Sequence, residues 1–138
     1  MDKTLLSLFD LTGKTAIVTG VSRGLGVSFA RGLAKAGCDL AVAARAFDEL
    51  QQVAKELEIF GHRVVPFRAD VSKARDVETL VSETMKTLGH IDILVNNAGI
   101  SAVVDAENMT GEQRQRMIDT NPTGVFLCAQ GAGREMLK

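Results

Sequence analysis

Three glycines are set close together in the run Thr19-Gly20-Val21-Ser22-Arg23-Gly24-Leu25-Gly26. A short apolar run precedes them and an amphipathic stretch follows. Glycines gathered at a strand-to-helix turn suit the binding of a phosphate. The first turn of a helix carries unpaired N–H groups and a partial positive charge, and both favour an anion. Gly20 allows a sharp turn off the strand, Gly24 lets bare backbone approach a pyrophosphate, and Gly26 lets helix and strand pack closely. Ser22 adds a hydroxyl donor. The same glycines would also serve a tight turn with no ligand. No Gly-Lys-Ser/Thr closes the turn, which argues against a P-loop and against ATP hydrolysis.

The elements that must hold this turn can be read from periodicity. Thr15–Thr19, Leu40–Ala44, Arg63–Phe67 and Ile91–Val95 are short apolar or β-branched runs, as expected of strands covered on both faces. Pro66 cannot donate to a sheet ladder, so the third run is expected at an edge. Between the runs, Ala30, Leu33 and Ala34, then Leu50, Val53, Ala54 and Leu57, then Val77, Leu80, Val81, Thr84, Met85 and Leu88 recur at helical spacing. Gly37, Gly61 and Gly89 follow these helices, where glycine can close the last turn. A last helix is expected from near Thr110, where Thr110 and Gln113 have capping-box spacing, on toward Lys138.

The alternation predicts an α/β chain: a Rossmann-like parallel sheet of about four strands with helices on both faces, forming one domain over residues 1–138. The fourth strand would have an outer edge without a neighbour. From that edge, and from half the helical cover being absent, the sheet is expected to be incomplete, with more chain or a partner completing it.

Composition narrows the function classes. Of 138 residues, 46% are hydrophobic and 24% charged, and 16 basic residues nearly balance 17 acidic ones. A net charge of -1 gives no global attraction to nucleic acid or to an anionic membrane. No apolar stretch approaches the roughly 20 residues that span a bilayer. The segment from Met1 to Asp10 lacks the layout of a signal peptide and is expected to pack on the body as an arm. Cys38 and Cys128 have no metal-ligand spacing and are expected to be reduced, buried thiols in the cytoplasm. No metal site is expected. His62 and His90 follow helix-ending glycines and are expected to be exposed, as are Asp105 and Glu107.

Further short motifs follow the glycine turn in order. Asp70-Val71 lies after the third strand, Asn96-Asn97-Ala98-Gly99 after the fourth, and Asn121 in the last helix ahead of Gly124 and Phe126. Taken together, these segments resemble the short-chain dehydrogenase/reductase family from about Leu11 to Lys138. The glycine spacing, G-x-x-x-G-x-G, matches that family and departs from the G-x-G-x-x-G of other dinucleotide sites. The segment Phe9–Lys14 and the Ala44-Arg45 strand end are similar to gluconate 5-dehydrogenases and equally to 3-oxoacyl-carrier-protein reductases.

The resemblance implies a role for each matching residue. Gly20, Ser22, Arg23, Gly24, Leu25 and Gly26 would hold the pyrophosphate of a nicotinamide dinucleotide. Asp70 would accept a hydrogen bond from the adenine amino group beside the Val71 backbone, although Asp70 could instead be a local cap before Ser72. Asn97, Ala98 and Gly99 would line the ribose and nicotinamide, and Asn96 would tie neighbouring strands. Asn121 would be catalytic through its backbone carbonyl, which holds a water in a proton relay. Pro122 stands where the family has an aliphatic residue, so the kink near Asn121 is expected to be sharper.

Charge bears on the cofactor. An acid at the end of the second strand binds the ribose hydroxyls of NAD. Here Ala44 and Arg45 occupy that place, and Arg23 lies before Gly24. Two guanidinium groups favour a 2′-phosphate, so NADP(H) is expected over NAD(H), unless both arginines are plain surface charges. The resemblance further implies hydride transfer with a small alcohol or carbonyl substrate, and a homodimer or homotetramer. Its serine, tyrosine and lysine are not assigned here, because the chain has no tyrosine and their segments are expected beyond Lys138. This chain alone is therefore expected to bind without turnover. A non-catalytic dinucleotide-binding module stays open, and so does another Rossmann-like enzyme such as a methyltransferase, which Ala44-Arg45 argues against.

Overall fold

A computed structural model describes residues 3–138. Its element order is α1 (Lys3–Ser7), β1 (Thr15–Thr19), α2 (Leu25–Lys35), β2 (Asp39–Ala44), α3 (Phe47–Leu57), β3 (Val64–Arg68), α4 (Ala74–Leu88), β4 (Ile93–Val95), α5 (Gly111–Thr120) and α6 (Pro122–Met136). The four strands form one parallel sheet in the order β3-β2-β1-β4. Pro66 is on an edge strand, as its missing N–H requires. β4 pairs with β1 alone and is shorter than expected, because pairing in register begins only at Ile93.

Strand alternation sorts the side chains into two cores. Ala16, Val18, Leu40 and Val42 point to one face, where Ala30 and Ala34 of α2 and Leu50, Ala54 and Leu57 of α3 cover them. Ile17, Ala41 and Ala43 point to the other, under Val77, Leu80 and Leu88 of α4 and Cys128 and Ala132 of α6. Burial of this kind contributes about 25 cal/mol per Å² of apolar surface. β1 is fully buried along its length, so its C-terminal end is a rigid base for the glycine turn.

The ionic ties lie at the opposite end of the sheet. Arg63 forks onto Asp39 Oδ2 through Nε (2.9 Å) and Nη2 (2.6 Å), and reaches the carbonyls of Thr87 and Leu88 at the end of α4. Asp92 accepts from Lys14 Nζ (3.1 Å) and the Thr15 N–H (2.9 Å), with His90 Nε2 at 3.0 Å. These contacts brace the N-terminal ends of the strands and leave the C-terminal ends open for a ligand.

Two expectations are corrected. The N-terminal arm does not pack down: Leu5, Leu6, Leu8 and Phe9 are 48–72% exposed, and anchoring begins at Leu11, whose N–H donates to Ala36 O (2.7 Å). Met1 and Asp2 lie outside the described residues. The last helix is two helices. The capping box at Thr110 and Gln113 forms and starts α5, but the helix breaks at Asn121 (φ -78°, ψ -78°). Pro122 opens α6 as its first residue, where a missing N–H costs least; within one continuous helix it would have removed a bond to the carbonyl of Ile118.

Among the described residues no helix is long and apolar enough to cross a membrane, and no group of His, Cys, Asp and Glu could hold a metal. Both cysteines are free and buried. Burial, with Asp39 and Asp92 nearby, pushes the Cys38 thiol up to about 11, and burial alone does the same for Cys128. Neither is a thiolate nucleophile at neutral pH.

Candidate functional site: a nucleotide cleft at the strand ends

The chain leaves β1 at Gly20 (φ +73°), a left-handed conformation that glycine adopts without strain. The N–H groups of Gly20 and Val21 both donate to Ala43 O (2.8 and 3.2 Å), and Val21 is fully buried. The turn is therefore fixed to β2 at one end and to the core at its second residue. Gly24 precedes α2 and gives it no side-chain cap. Nothing lies within 4 Å of where a Gly24 Cβ would stand. The start of α2 thus has no side-chain cap and open space over Gly24, which suits an anion at a helix N-terminus. Gly26 is different: a Cβ there would strike the Gly20 carbonyl and come within 2.6 Å of Asn97 Nδ2. The three glycines differ in their surroundings: Gly20 turns off the strand, Gly24 faces open space, and Gly26 packs against Gly20 and Asn97.

Asn97 joins β4 to this turn. Its Nδ2 donates to Thr19 O (3.0 Å) and Gly20 O (3.1 Å), and its N–H and that of Ala98 both donate to Thr19 Oγ1 (3.1 and 3.0 Å). The strand-tying role expected of Asn96 therefore falls to Asn97, because the odd-numbered residue points back across β1 while Asn96 is exposed. Both amide hydrogens of Asn97 are used, which leaves Oδ1 and the adjoining backbone for a ligand. Thr19 was not singled out from sequence. The available signal was a hydroxyl residue ending an otherwise apolar strand, directly before the first glycine.

A cleft of about 640 Å³ opens over these strand ends, within the range of roughly 300–1,000 Å³ usual for cofactor sites. It brings together Gly20, Ser22, Arg23, Arg45, Asp70, Val71, Asn97, Ala98 and Gly99. Gly24, Leu25 and Gly26 stand behind it: Leu25 is 69% exposed and Gly26 is buried in the packing. Glu49, Ile100 and Thr120 also line the cleft and were not among the expected residues. The cleft lies beside the switch from β1 outward to β2 on one side and to β4 on the other, the place where open parallel sheets bind ligands.

Asp70 Oδ1 accepts from the Ser72 N–H (3.0 Å) and Oγ (2.7 Å). Burial opposes its ionisation, but those two bonds and the charges of Arg45 and Lys73 outweigh burial and hold the carboxyl below its ordinary value. Its Oδ2 has no partner among the described residues. The cap and the adenine contact are thus compatible, one on each oxygen. Val71 is buried, and α6 rests on it so closely that a Gly124 Cβ would meet Val71 Cγ2 at 2.7 Å.

Asn121 does not line the cleft. Its side chain clamps Ile100, accepting from the Ile100 N–H at Oδ1 (2.9 Å) and donating from Nδ2 to the Ile100 carbonyl (2.8 Å). Its own carbonyl accepts from the Val125 N–H (3.1 Å), which leaves a second lone pair. The pair of bonds fixes the loop that leaves Gly99, at the end of the cleft away from Arg45. His90 is half exposed, and its Nε2–H donates to Gly13 O (3.0 Å); Asp105 and Glu107 are exposed. None of them reaches the cleft.

Residues 14–138 match the family model described as short chain dehydrogenase. An oxidoreductase UcpA of Salmonella typhimurium is 40% identical over 128 residues, 93% of this chain and 48% of its own. A 2-dehydro-3-deoxy-D-gluconate 5-dehydrogenase of Escherichia coli is 35% identical over 133 residues, 96% of this chain and 52% of its own. The crystal structure of a short-chain type dehydrogenase/reductase from Mycobacterium marinum superposes with a TM-score of 0.93 at 47% identity, over 96% of this chain and 52% of that one. The chain spans about half the length of the curated relatives it matches.

Proposed function

Because the chain belongs to the short chain dehydrogenase family, we propose that it is the nucleotide-binding portion of an NADP(H)-dependent oxidoreductase. The proposed reaction interconverts a small alcohol and its carbonyl compound. The observation that carries the reading is the cleft itself. It is lined by Gly20, Ser22 and two arginines, Arg23 and Arg45, and the uncapped N-terminus of α2, with open space over Gly24, stands directly behind it. A nicotinamide dinucleotide fits that donor set: backbone N–H groups for the pyrophosphate, Asp70 Oδ2 for the adenine amino group, and the Asn97–Gly99 backbone for the far ribose. When bound, the nicotinamide supplies or accepts hydride. This chain's own residues bind it, orient it and fix the Gly99–Ile100 loop beside it through Asn121. The chain contains no tyrosine, so we assign no proton donor of that type within it and expect this portion alone to bind without turnover.

NADP(H) is preferred here on charge. Arg45 follows Ala44 at the end of β2, where an acid would serve NAD, and neither Arg45 nor Arg23 forms an ion pair among the described residues. Arg45→Asp is expected to weaken NADPH binding by about tenfold or more, and to bring NADH to equal or better affinity. Cofactor fluorescence titrations with both dinucleotides measure this; an unchanged preference for NADPH would remove Arg45 from the 2′-phosphate site.

From the resemblance to this family we propose a homo-oligomer. The exposed face of α6, with Val125 43% and Phe126 58% exposed beside Ala129, is the surface we assign to it. The free, buried cysteines support a reducing compartment, the cytoplasm.

A further inference from the structure

We propose that Glu49 weakens the hold of the cleft on a 2′-phosphate and thereby limits how strongly the protein discriminates NADPH from NADH. The inference rests on the proposed function, which puts the adenosine 2′ position beside Arg45. Glu49 lines the same cleft as Arg23, Arg45 and Asp70. It lies in the first turn of α3, the helix that begins just after Arg45.

Three features distinguish Glu49 from an ordinary surface acid. It forms no ion pair among the described residues, so its carboxylate is not held by a cation at contact distance. It is exposed, so its carboxylate holds nothing in the core. Its helix already has Asp48 in the first turn to complement the helix dipole. Asp70, the other acid of the cleft, is tied to Ser72 and has its own place under adenine. Glu49 is therefore the free negative charge at the arginine end.

The two cofactors meet this charge differently. A phosphate monoester carries about -1.5 to -2 at pH 7, and placed near Arg45 it is attracted by the guanidinium and opposed by Glu49. A 2′-hydroxyl carries no charge and can donate a hydrogen bond to a carboxylate. Glu49 thus acts against NADPH and is neutral or helpful to NADH, while the arginines act the other way.

The test is the dissociation constant of NADPH and of NADH for the wild-type protein, Glu49→Gln and Arg45→Asp, with the thermal midpoint of each. Glu49→Gln is expected to tighten NADPH by about three- to tenfold while NADH stays level or weakens. The gain should shrink in about 0.5 M salt, where the screening length falls to a few ångströms. If NADPH affinity does not change, or both cofactors change by one factor, the proposal is overturned even when Arg45→Asp behaves as expected. Glu49 would then serve only the start of α3, and its substitution would move the thermal midpoint without moving the ratio. If the wild type does not favour NADPH and Arg45→Asp has no effect, the NADP(H) reading fails, and the role of Glu49 fails with it.

Discussion

Gly26→Ala is expected to remove measurable dinucleotide binding and to lower stability by about 2 kcal/mol or more. Two effects compete. Alanine in a helix is ordinarily better than glycine by up to about 1 kcal/mol. Here the added Cβ would strike the Gly20 carbonyl and crowd Asn97 Nδ2 at 2.6 Å. A backbone carbonyl cannot rotate away, so α2 must move off the end of β1. Forcing extra volume into packed structure costs about 1–3 kcal/mol, sometimes more, so the clash wins. The movement also carries the N–H groups of α2 away from the cleft. A misplacement near 1 Å at a preorganised site costs roughly a hundredfold. Chemical denaturation and an NADPH titration of the same variant measure both effects. A variant with wild-type stability and affinity would show that the turn tolerates the volume, against the packing described above. Gly24→Ala is the useful contrast, because its Cβ meets nothing and any loss there comes from its positive φ (+68°) and from the ligand.

Thr19→Val should be the next most damaging change, although it preserves shape. It removes the one oxygen that accepts from both the Asn97 and Ala98 N–H groups. An unsatisfied buried donor costs about 1–3 kcal/mol, and these two are partly buried, so a combined loss of about 2–3 kcal/mol is expected. The binding loss should exceed what stability alone explains, because the released segment is the floor of the cleft. Thr19→Ser keeps the oxygen and should recover most of both. Equal behaviour of the valine and serine variants in melting and binding would mean that the hydroxyl does not position the loop.

The fold was legible because its signals are local and repeated. The runs at Thr15–Thr19 and Leu40–Ala44 form strands buried on both faces, and Pro66 marked the edge strand from its chemistry alone. The capping box at Thr110 was readable for the same reason: both partners lie within one turn. The break at Asn121 was only half readable. Pro122 signalled a disturbance, but whether a helix kinks or stops depends on what the preceding side chain holds, and Asn121 holds the backbone of Ile100. The exposed arm failed as an expectation because apolar composition does not say whether a docking surface exists.

At the site, the glycine turn, Asp70 and the Asn97–Gly99 segment gather around one cleft because each ends or follows a parallel strand, and parallel strands end on the same side. The division of labour between Asn96 and Asn97 was not legible. It depends on which side chain faces β1, and a single-residue change of register reverses that. Thr19 and Glu49 were missed for different reasons. One looked like an ordinary β-branched strand residue, and the other like a solvated charge on a helix.

The most direct test of the account is an NADPH titration of the protein followed by the fluorescence of the reduced nicotinamide. Saturable binding is expected, with displacement by 2′,5′-ADP at lower concentrations than by ADP, and with loss in Gly26→Ala. No binding of either nicotinamide dinucleotide, or binding of S-adenosylmethionine in their place, would contradict the assignment of this cleft.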